Sequence, residues 1–214
     1  MDNLLNILFP PKCLFCHTDG SIFCSKCLQE VQMLEKSFFQ ITQHGFCNKL
    51  GVFSPFEYEG ITRLCIKRSK YNSKQFAALK ILALYGAKYA QNLGIKYAGY
   101  TVVPIPMNKH KLKLRGFNQA GLIANALAKT FNLPIDNKIL FRVKETSSQY
   151  THDREERYEN MKEAFKVDPL QCQNKAILLV DDICTSGATL LSAAEALYRA
   201  GVNKVVAFTL TRRL

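Results

Sequence analysis

The sequence predicts an α/β fold in which helices flank a mainly parallel sheet, with a small cysteine-rich unit ahead of it. Strand-like and helical segments alternate along most of the chain, an order typical of a parallel sheet with crossover helices. Residues 176–180 form an unbroken apolar run, which is typical of a strand buried on both faces. Two Cys-x2-Cys pairs stand near the start. We therefore expect a cysteine-rich unit and its connector at residues 1–45 and the main domain at residues 46–214.

Composition limits the class of protein. With 214 residues, 48% of them hydrophobic, the chain can bury a core in one ordinary domain plus a small appendage. No apolar segment is long enough to span a bilayer, and the first residues lack the basic flank of a secretory signal. We therefore expect a cytoplasmic protein without membrane insertion. The formal net charge of +12 favours a polyanionic partner, and we expect that partner to be nucleic acid.

The cysteine pairs predict a metal site. Cys13 and Cys16 form one pair, Cys24 and Cys27 form the other, and four thiolates complete the tetrahedral coordination of a structural zinc ion. Two alternatives stay open. Disulfide bonds are disfavoured by a cytoplasmic setting, and a redox pair is disfavoured because no βαβ pattern surrounds these cysteines.

The elements before residue 100 follow from local patterns. We expect a helix at residues 28–39, a connector at residues 40–51, a strand at residues 52–58 and a short helix at residues 61–68. Ser73 is a suitable N-cap for a long amphipathic helix that ends near residue 93.

Short strands are expected in the second half of the chain, at residues 100–103, 140–143, 164–167 and 204–211. A strongly basic loop follows the first of them, from residue 108 to Gly116, and leads into an expected helix at residues 118–130. Such a loop can hold an anion. Residues 145–160 are polar and without apolar period, so this connector is either functional or disordered.

The apolar run at residues 176–180 ends in an acid pair, Asp181-Asp182, which we place at the carboxyl end of its strand, where open α/β sheets bind ligands. The loop after it is rich in hydroxyls and contains a glycine, and it opens a helix at residues 190–200, so its backbone amides can cradle a phosphate. Carboxylates repel phosphate. The acids therefore fit a ribose diol or a magnesium ion on the same ligand. The alternative is a solvated acid pair beside an ordinary helix cap.

Residues 180–189 resemble the phosphoribosyl-pyrophosphate (PRPP) motif of type I phosphoribosyltransferases. The resemblance implies that Asp181 and Asp182 hold the ribose 2′ and 3′ hydroxyls. It also implies that the loop holds the 5′-phosphate through Thr185, Ser186, Gly187, Ala188 and Thr189. Ser186 departs from the commoner threonine. These enzymes bind PRPP with Mg²⁺, and Arg115 in the basic loop is the expected cation for the diphosphate. They also carry a mobile lid, which implies that residues 145–160 close over the ligand and bring Arg154 or Arg157 to it.

The order of motifs along nearly the whole chain resembles the ComF family of competence proteins. The features are the cysteine quartet, Val103-Pro104-Ile105-Pro106, the block Arg115-Gly116-Phe117-Asn118-Gln119 and the acid motif. His152 departs from the usual leucine, and the further cysteine pairs of many relatives are missing. The resemblance implies a role in natural transformation, in which the protein handles incoming single-stranded DNA in the cytoplasm. A DNA-uptake helicase or other competence proteins are the implied partners, through which the protein would lie peripheral to the inner membrane.

Basic residues are the expected DNA contacts, with aromatic side chains such as Tyr58 and Phe117 available for base stacking. The expected contacts are Arg63, Lys67, Arg68, Lys70, Lys109, Lys111 and Lys113. Some of these cations can serve the diphosphate instead.

Three functions are therefore compatible with the sequence. The first is a DNA-uptake protein that binds PRPP and single-stranded DNA. The second is an active phosphoribosyltransferase with an unidentified acceptor, which works by positioning and by stabilising the departing diphosphate. The third is a zinc-bearing interaction protein whose loop binds phosphate adventitiously.

Overall fold

The structure is a computed structural model that describes residues 10–42, 49–70, 73–143 and 164–213. The helices of these segments are α1 (Ser25–Gln29), α2 (Gly60–Ser69), α3 (Ser73–Asn92), α4 (Lys109–Arg115), α5 (Gln119–Phe131), α6 (Pro169–Cys172) and α7 (Ala188–Arg199). The strands are β1 (Phe38–Ile41), β2 (Leu50–Phe53), β3 (Phe56–Glu57), β4 (Tyr100–Pro104), β5 (Leu140–Arg142), β6 (Phe165–Val167), β7 (Ala176–Cys184) and β8 (Lys204–Arg212). Among the helices described, none is both long and apolar enough to cross a bilayer.

The main sheet has the strand order β1-β2-β8-β7-β4, and β3 also pairs with β8. Strands β2, β3 and β7 run parallel to β8, and β4 runs parallel to β7. Only β1, which is antiparallel to β2, breaks the pattern within this sheet as described. Strands β5 and β6 form a separate antiparallel pair. The predicted α/β fold with a mainly parallel sheet is confirmed.

The central strand β7 is buried on both faces, as its apolar run predicts. Ile177 and Leu179 pack in one hydrophobic cluster with α7, whereas Leu178 and Val180 pack in the opposite cluster with α5. All four side chains are fully buried. Because successive side chains of a strand point to opposite faces, this single strand joins the two halves of the core. Burial of each such side chain is worth about 1.5–3 kcal/mol.

The acid pair does not end the strand, contrary to the sequence prediction. Strand β7 continues through Asp181 and Asp182 to Cys184, because β8 pairs with it that far. On its other side, β4 stops at Pro104, which pairs with Val180. The two acids therefore lie on a continuous strand at the point where one of its two neighbours has ended, and this leaves room for a ligand.

The helix predicted at residues 28–39 is wrong. Helix α1 ends at Gln29, and the chain then runs beside the main sheet until β1. The backbone amide of Leu34 donates to the carbonyl of Pro55 at 3.0 Å, and the amide of Glu57 donates to the carbonyl of Gln32 at 3.0 Å. These partners satisfy backbone groups that a helix would otherwise pair internally, so tertiary contacts override helix propensity.

The basic segment after β4 is a helix rather than the predicted loop. Asn108 caps α4, since its side-chain oxygen accepts hydrogen bonds from the amides of His110 at 2.8 Å and Lys111 at 3.3 Å. Gly116 ends the helix in the left-handed region, with φ of 77°. The segment therefore presents its cations on a short rigid helix.

Candidate ligand-binding cleft and metal centre

The four cysteines predicted to bind metal lie together. The sulfur atoms of Cys13, Cys16, Cys24 and Cys27 all lie within 4.8 Å of one another. A tight turn places the first pair, with the amide of Cys13 donating to the carbonyl of Thr18 at 2.8 Å. The second pair spans the start of α1, where Cys24 is the N-cap. The four sulfurs can hold a metal ion such as zinc, and together they would fill all four positions of its tetrahedral coordination.

The quartet contains thiols of very different acidity. The Thr18 hydroxyl and backbone, together with the neighbouring thiols of Cys24 and Cys27, lower the pKa of Cys16 to about 6. Burial, followed by the neighbouring thiols, raises the pKa of Cys27. Both are free thiols, as are the other cysteines of the described segments, so no disulfide occupies the quartet there. Metal ligation requires thiolates, and Cys16 supplies one at neutral pH.

We predict about one zinc per chain in protein that has never met a chelator. Cys27→Ser should lose the metal because three sulfur ligands no longer close the site. Cys172→Ala is the matched control, since this cysteine is equally buried but lies outside the quartet. Elemental analysis with thiol titration measures both. Less than about a tenth of an equivalent of zinc, with all four thiols free, would contradict a structural zinc site.

A cleft of about 230 Å³ lies beside the acid pair. Four cations, two acids and Thr189 are among the side chains that line it. These charged groups are Lys70, Lys111, Arg115, Arg142, Asp181 and Asp182. Lys70 follows α2, Lys111 and Arg115 lie on α4, and Arg142 ends β5, so three separate elements and β7 converge here.

Asp181 lies in a setting that disfavours its charged form. Burial and the adjacent carboxylate of Asp182 raise the pKa of Asp181 well above its usual range. The amide of Asp182, which donates to Asp181 Oδ1 at 2.9 Å, and the guanidinium of Arg142 only partly offset this. Partial burial, then Arg115, Arg142 and Lys70, lower the pKa of Lys111. The cleft therefore holds like charges close together on both sides, an arrangement common at binding sites.

Residues 115–119 explain how the cations are held. Arg115 is the last residue of α4, and Asn118 caps α5 while its side-chain amide donates to the carbonyl of Ile105 at 2.9 Å. Gln119 is buried, and its amide donates to the carbonyl of Ile66 at 3.0 Å and to Ser69 Oγ at 2.7 Å. The end of α2, which carries Lys70, is thereby tied to the start of α5.

The loop predicted to hold phosphate leads from β7 directly into α7. Gly187 adopts φ of 80° and is the N-cap of α7. As a glycine it has no side chain to accept hydrogen bonds from the first amides of the helix. Ser186 Oγ accepts a hydrogen bond from the amide of Ala188 at 3.4 Å, and Thr185 is exposed. Thr189 lines the cleft itself. Backbone amides at a helix start favour an anion.

The basic residues predicted to bind DNA lie at several separate places in the structure. Lys70 and Lys111 line the cleft beside the acids. Arg63 and Lys67 line a second, larger cavity. The guanidinium of Arg68 donates to the carbonyl of Leu14 in the cysteine unit at 3.3 Å. The remaining two, Lys109 and Lys113, are exposed on α4. The predicted lid at residues 145–160, with Arg154 and Arg157, lies outside the described residues.

Sequence reasoning missed Arg142. The sequence around Arg142 predicts only a short strand. The approach of its side chain to Asp181 depends on β5 lying against the carboxyl edge of the main sheet. Arg212 and Arg213, which line the second cavity, were missed as well. The one available signal was a pair of cations directly after a strongly β-branched strand.

Comparisons with known proteins agree with this architecture. Residues 115–214 match the phosphoribosyl transferase domain family. Competence protein F of Haemophilus influenzae is 30% identical over 156 residues, which are 70% of this chain and 67% of that protein. DNA utilization protein YhgH of Escherichia coli K12 is 25% identical over 204 residues, which are 95% of this chain and 84% of that protein.

Solved structures are more distant. A hypoxanthine phosphoribosyltransferase from Staphylococcus aureus is 18% identical with a TM-score of 0.40, and the match covers 64% of each chain. A likeness at this level supports no conclusion about substrate. The sequence relatives and the matched domain are decisive, and the chain belongs to the ComF family of competence proteins, with a phosphoribosyl transferase domain at residues 115–214.

Proposed function

We propose that the protein binds PRPP with Mg²⁺ in the cleft and binds single-stranded DNA, and that it acts in the cytoplasm during DNA uptake. The observation that carries the first part is the meeting of an acid pair, four cations and Thr189, in the first turn of α7, around one cavity. A sugar bearing phosphates at both ends needs each of these groups. The names of the relatives, competence protein and DNA utilization protein, support the second part.

The cleft offers a partner for each portion of PRPP. Asp181 and Asp182 accept charge-assisted hydrogen bonds from the ribose diol, and the amides of residues 186–189 meet the 5′-phosphate. Lys70, Lys111, Arg115 and Arg142 face the diphosphate. Carboxylate oxygens also suit Mg²⁺, which when bound neutralises part of the diphosphate charge. Lys70 and Lys111 thus serve the diphosphate rather than DNA.

Calorimetric titration tests this assignment. We expect PRPP to bind more tightly than ribose 5-phosphate, because only PRPP reaches the cations. Lys111→Gln should weaken PRPP binding about tenfold and leave ribose 5-phosphate binding unchanged, since it removes one charged hydrogen bond. Lys113→Gln is the matched control, because this exposed lysine lies on the same helix and outside the cleft. Equal effects of the two variants would remove the diphosphate from this side of the cleft.

A transferase activity is the second candidate. A cavity of about 890 Å³ shares Pro106, Met107 and Asn118 with the cleft and is also lined by Phe76 and Phe117. An aromatic acceptor would fit such a lining beside the ribose. Release of diphosphate from PRPP in the presence of a panel of nucleobases would support catalysis. Stoichiometric PRPP binding without diphosphate release from any of them would support a binding module.

A further inference from the structure

A second cavity at the carboxyl edge of the sheet is lined mainly by polar groups. It has a volume of about 730 Å³. We call it the basic pocket, and its lining residues are Glu57, Tyr58, Glu59, Gly60, Arg63, Lys67, Arg212 and Arg213. None of these residues lines the cleft proposed to bind PRPP.

The cations of the basic pocket are held in place by the fold. Arg63 and Lys67 lie one helical turn apart on α2, about 6 Å along its axis. The amide of Arg213 donates to the carbonyl of Cys184 at 2.9 Å, so the segment after β8 is fixed against the end of β7. The guanidinium of Arg212 lies 3.7 Å from the centre of the Phe39 ring. A cation on an aromatic face is restrained in position.

The acids of the pocket do not cancel these charges. Four cations face two carboxylates, those of Glu57 and Glu59, so two positive charges remain uncompensated within the pocket. Arg63, Lys67 and Arg213 are exposed to solvent from the pocket. The pocket therefore keeps a net positive charge that is open to a partner.

The basic pocket borders the cleft. Tyr58 lies in the pocket, and after burial the charge of Asp182 is what raises its pKa, while Arg63 and Arg213 lower it. Asp182 itself lines the cleft. Arg212 of the pocket pairs with Cys184, two residues after Asp182 on β7, so the pocket and the cleft lie on neighbouring strands at one edge of the sheet.

We propose that the basic pocket binds the phosphodiester backbone of single-stranded DNA and holds the strand beside the PRPP cleft. This inference rests on the DNA binding proposed above. Tyr58, the one aromatic residue in the described lining, offers a face on which a base can stack. Arginine and lysine side chains that remain partly solvated are the usual contacts to backbone phosphates. Cations spread along a helical turn suit an extended anion better than a single phosphate.

Salt dependence of oligonucleotide binding tests the proposal. Wild-type protein should bind a fluorescent dT12 strand with log affinity falling linearly with log salt. The variant Arg63→Gln, Lys67→Gln, Arg213→Gln should bind at least tenfold more weakly at low salt. Its slope should be shallower by about 2, since each phosphate contact contributes roughly 0.7. The control variant Lys36→Gln, Lys138→Gln, Lys166→Gln loses the same charge at exposed positions outside both cavities, and its slope should stay near that of the wild type.

Each outcome has a defined meaning. Absence of dT12 binding by the wild type at low salt would refute the DNA binding on which the inference rests. Binding by the wild type with equal slopes for the two triple variants would refute only the basic pocket. The pocket-lining triple variant could instead bind dTMP more weakly than the wild type and bind dT12 equally well. That result would assign the pocket to a free nucleotide and overturn the proposal. Thermal unfolding and zinc content of both variants should match the wild type, which tests that they are folded.

Discussion

Replacing both cleft acids, Asp181→Asn with Asp182→Asn, should reduce affinity for Mg²⁺ and PRPP by a hundredfold or more. Each charged hydrogen bond is worth about 1.5–3 kcal/mol, and two of them are lost. Asp181→Asn alone should at the same time raise the free energy of unfolding by about 0.5–2 kcal/mol, because it removes one member of a half-buried like-charge pair. Calorimetry and thermal denaturation measure the two effects. Unchanged PRPP affinity in the folded double variant would exclude these residues from the site.

The direction of this stability change can be tested by pH. Burial and Asp182 raise the pKa of Asp181 in the fold above its unfolded value. Between those two pKa values the folded chain binds more protons than the unfolded chain, so wild-type stability falls as pH rises through this window. Asp181→Asn should abolish that slope. Asp136→Asn is the matched control, because Asp136 also accepts one backbone hydrogen bond that asparagine can keep, here from Lys138 at 2.7 Å.

Gly187→Ala should both destabilise the protein and impair binding of the 5′-phosphate. The left-handed conformation at this position, with φ of 80°, costs an alanine about 1–2 kcal/mol. A Cβ atom there would also lie 2.6 Å from Cδ1 of Ile41, a buried residue of β1. Either the loop or the strand has to move. We expect the melting temperature to fall by roughly 4–10 °C.

A matched glycine separates strain from collision. Gly94 has φ of 75° and no atom within 4 Å of its virtual Cβ, so Gly94→Ala reports the backbone cost alone. Gly187→Ala should be clearly worse. Ile41→Val, which lacks the Cδ1 atom, should recover part of the difference in the double variant. Equal melting temperatures for the two alanine variants would show that β1 does not support the loop.

Local patterns were sufficient for the fold class and for part of the site. The apolar run before Asp181 identified the central strand because burial on both faces leaves an unbroken signature. Arg142 was not predictable, since its approach to the acids depends on packing between elements distant in sequence. The sequence does not divide the cations between the diphosphate and DNA, because charge reveals the class of partner and not the location, whereas the structure places Lys70 and Lys111 in the cleft. The segment after α1 is not helical despite its helix propensity, because its backbone groups form hydrogen bonds with residues beside the main sheet.

The placement of β8 has a consequence for how the protein is made. This strand pairs with β2, β3 and β7, yet it is translated after every other described strand of the sheet. During translation, β2 and β3 therefore remain unpaired with β8 while about 150 further residues are synthesised. Such long-range pairing slows folding and leaves strand edges open to wrong partners. Chaperone capture of nascent chains should persist until residue 212 leaves the exit tunnel and cease soon afterwards.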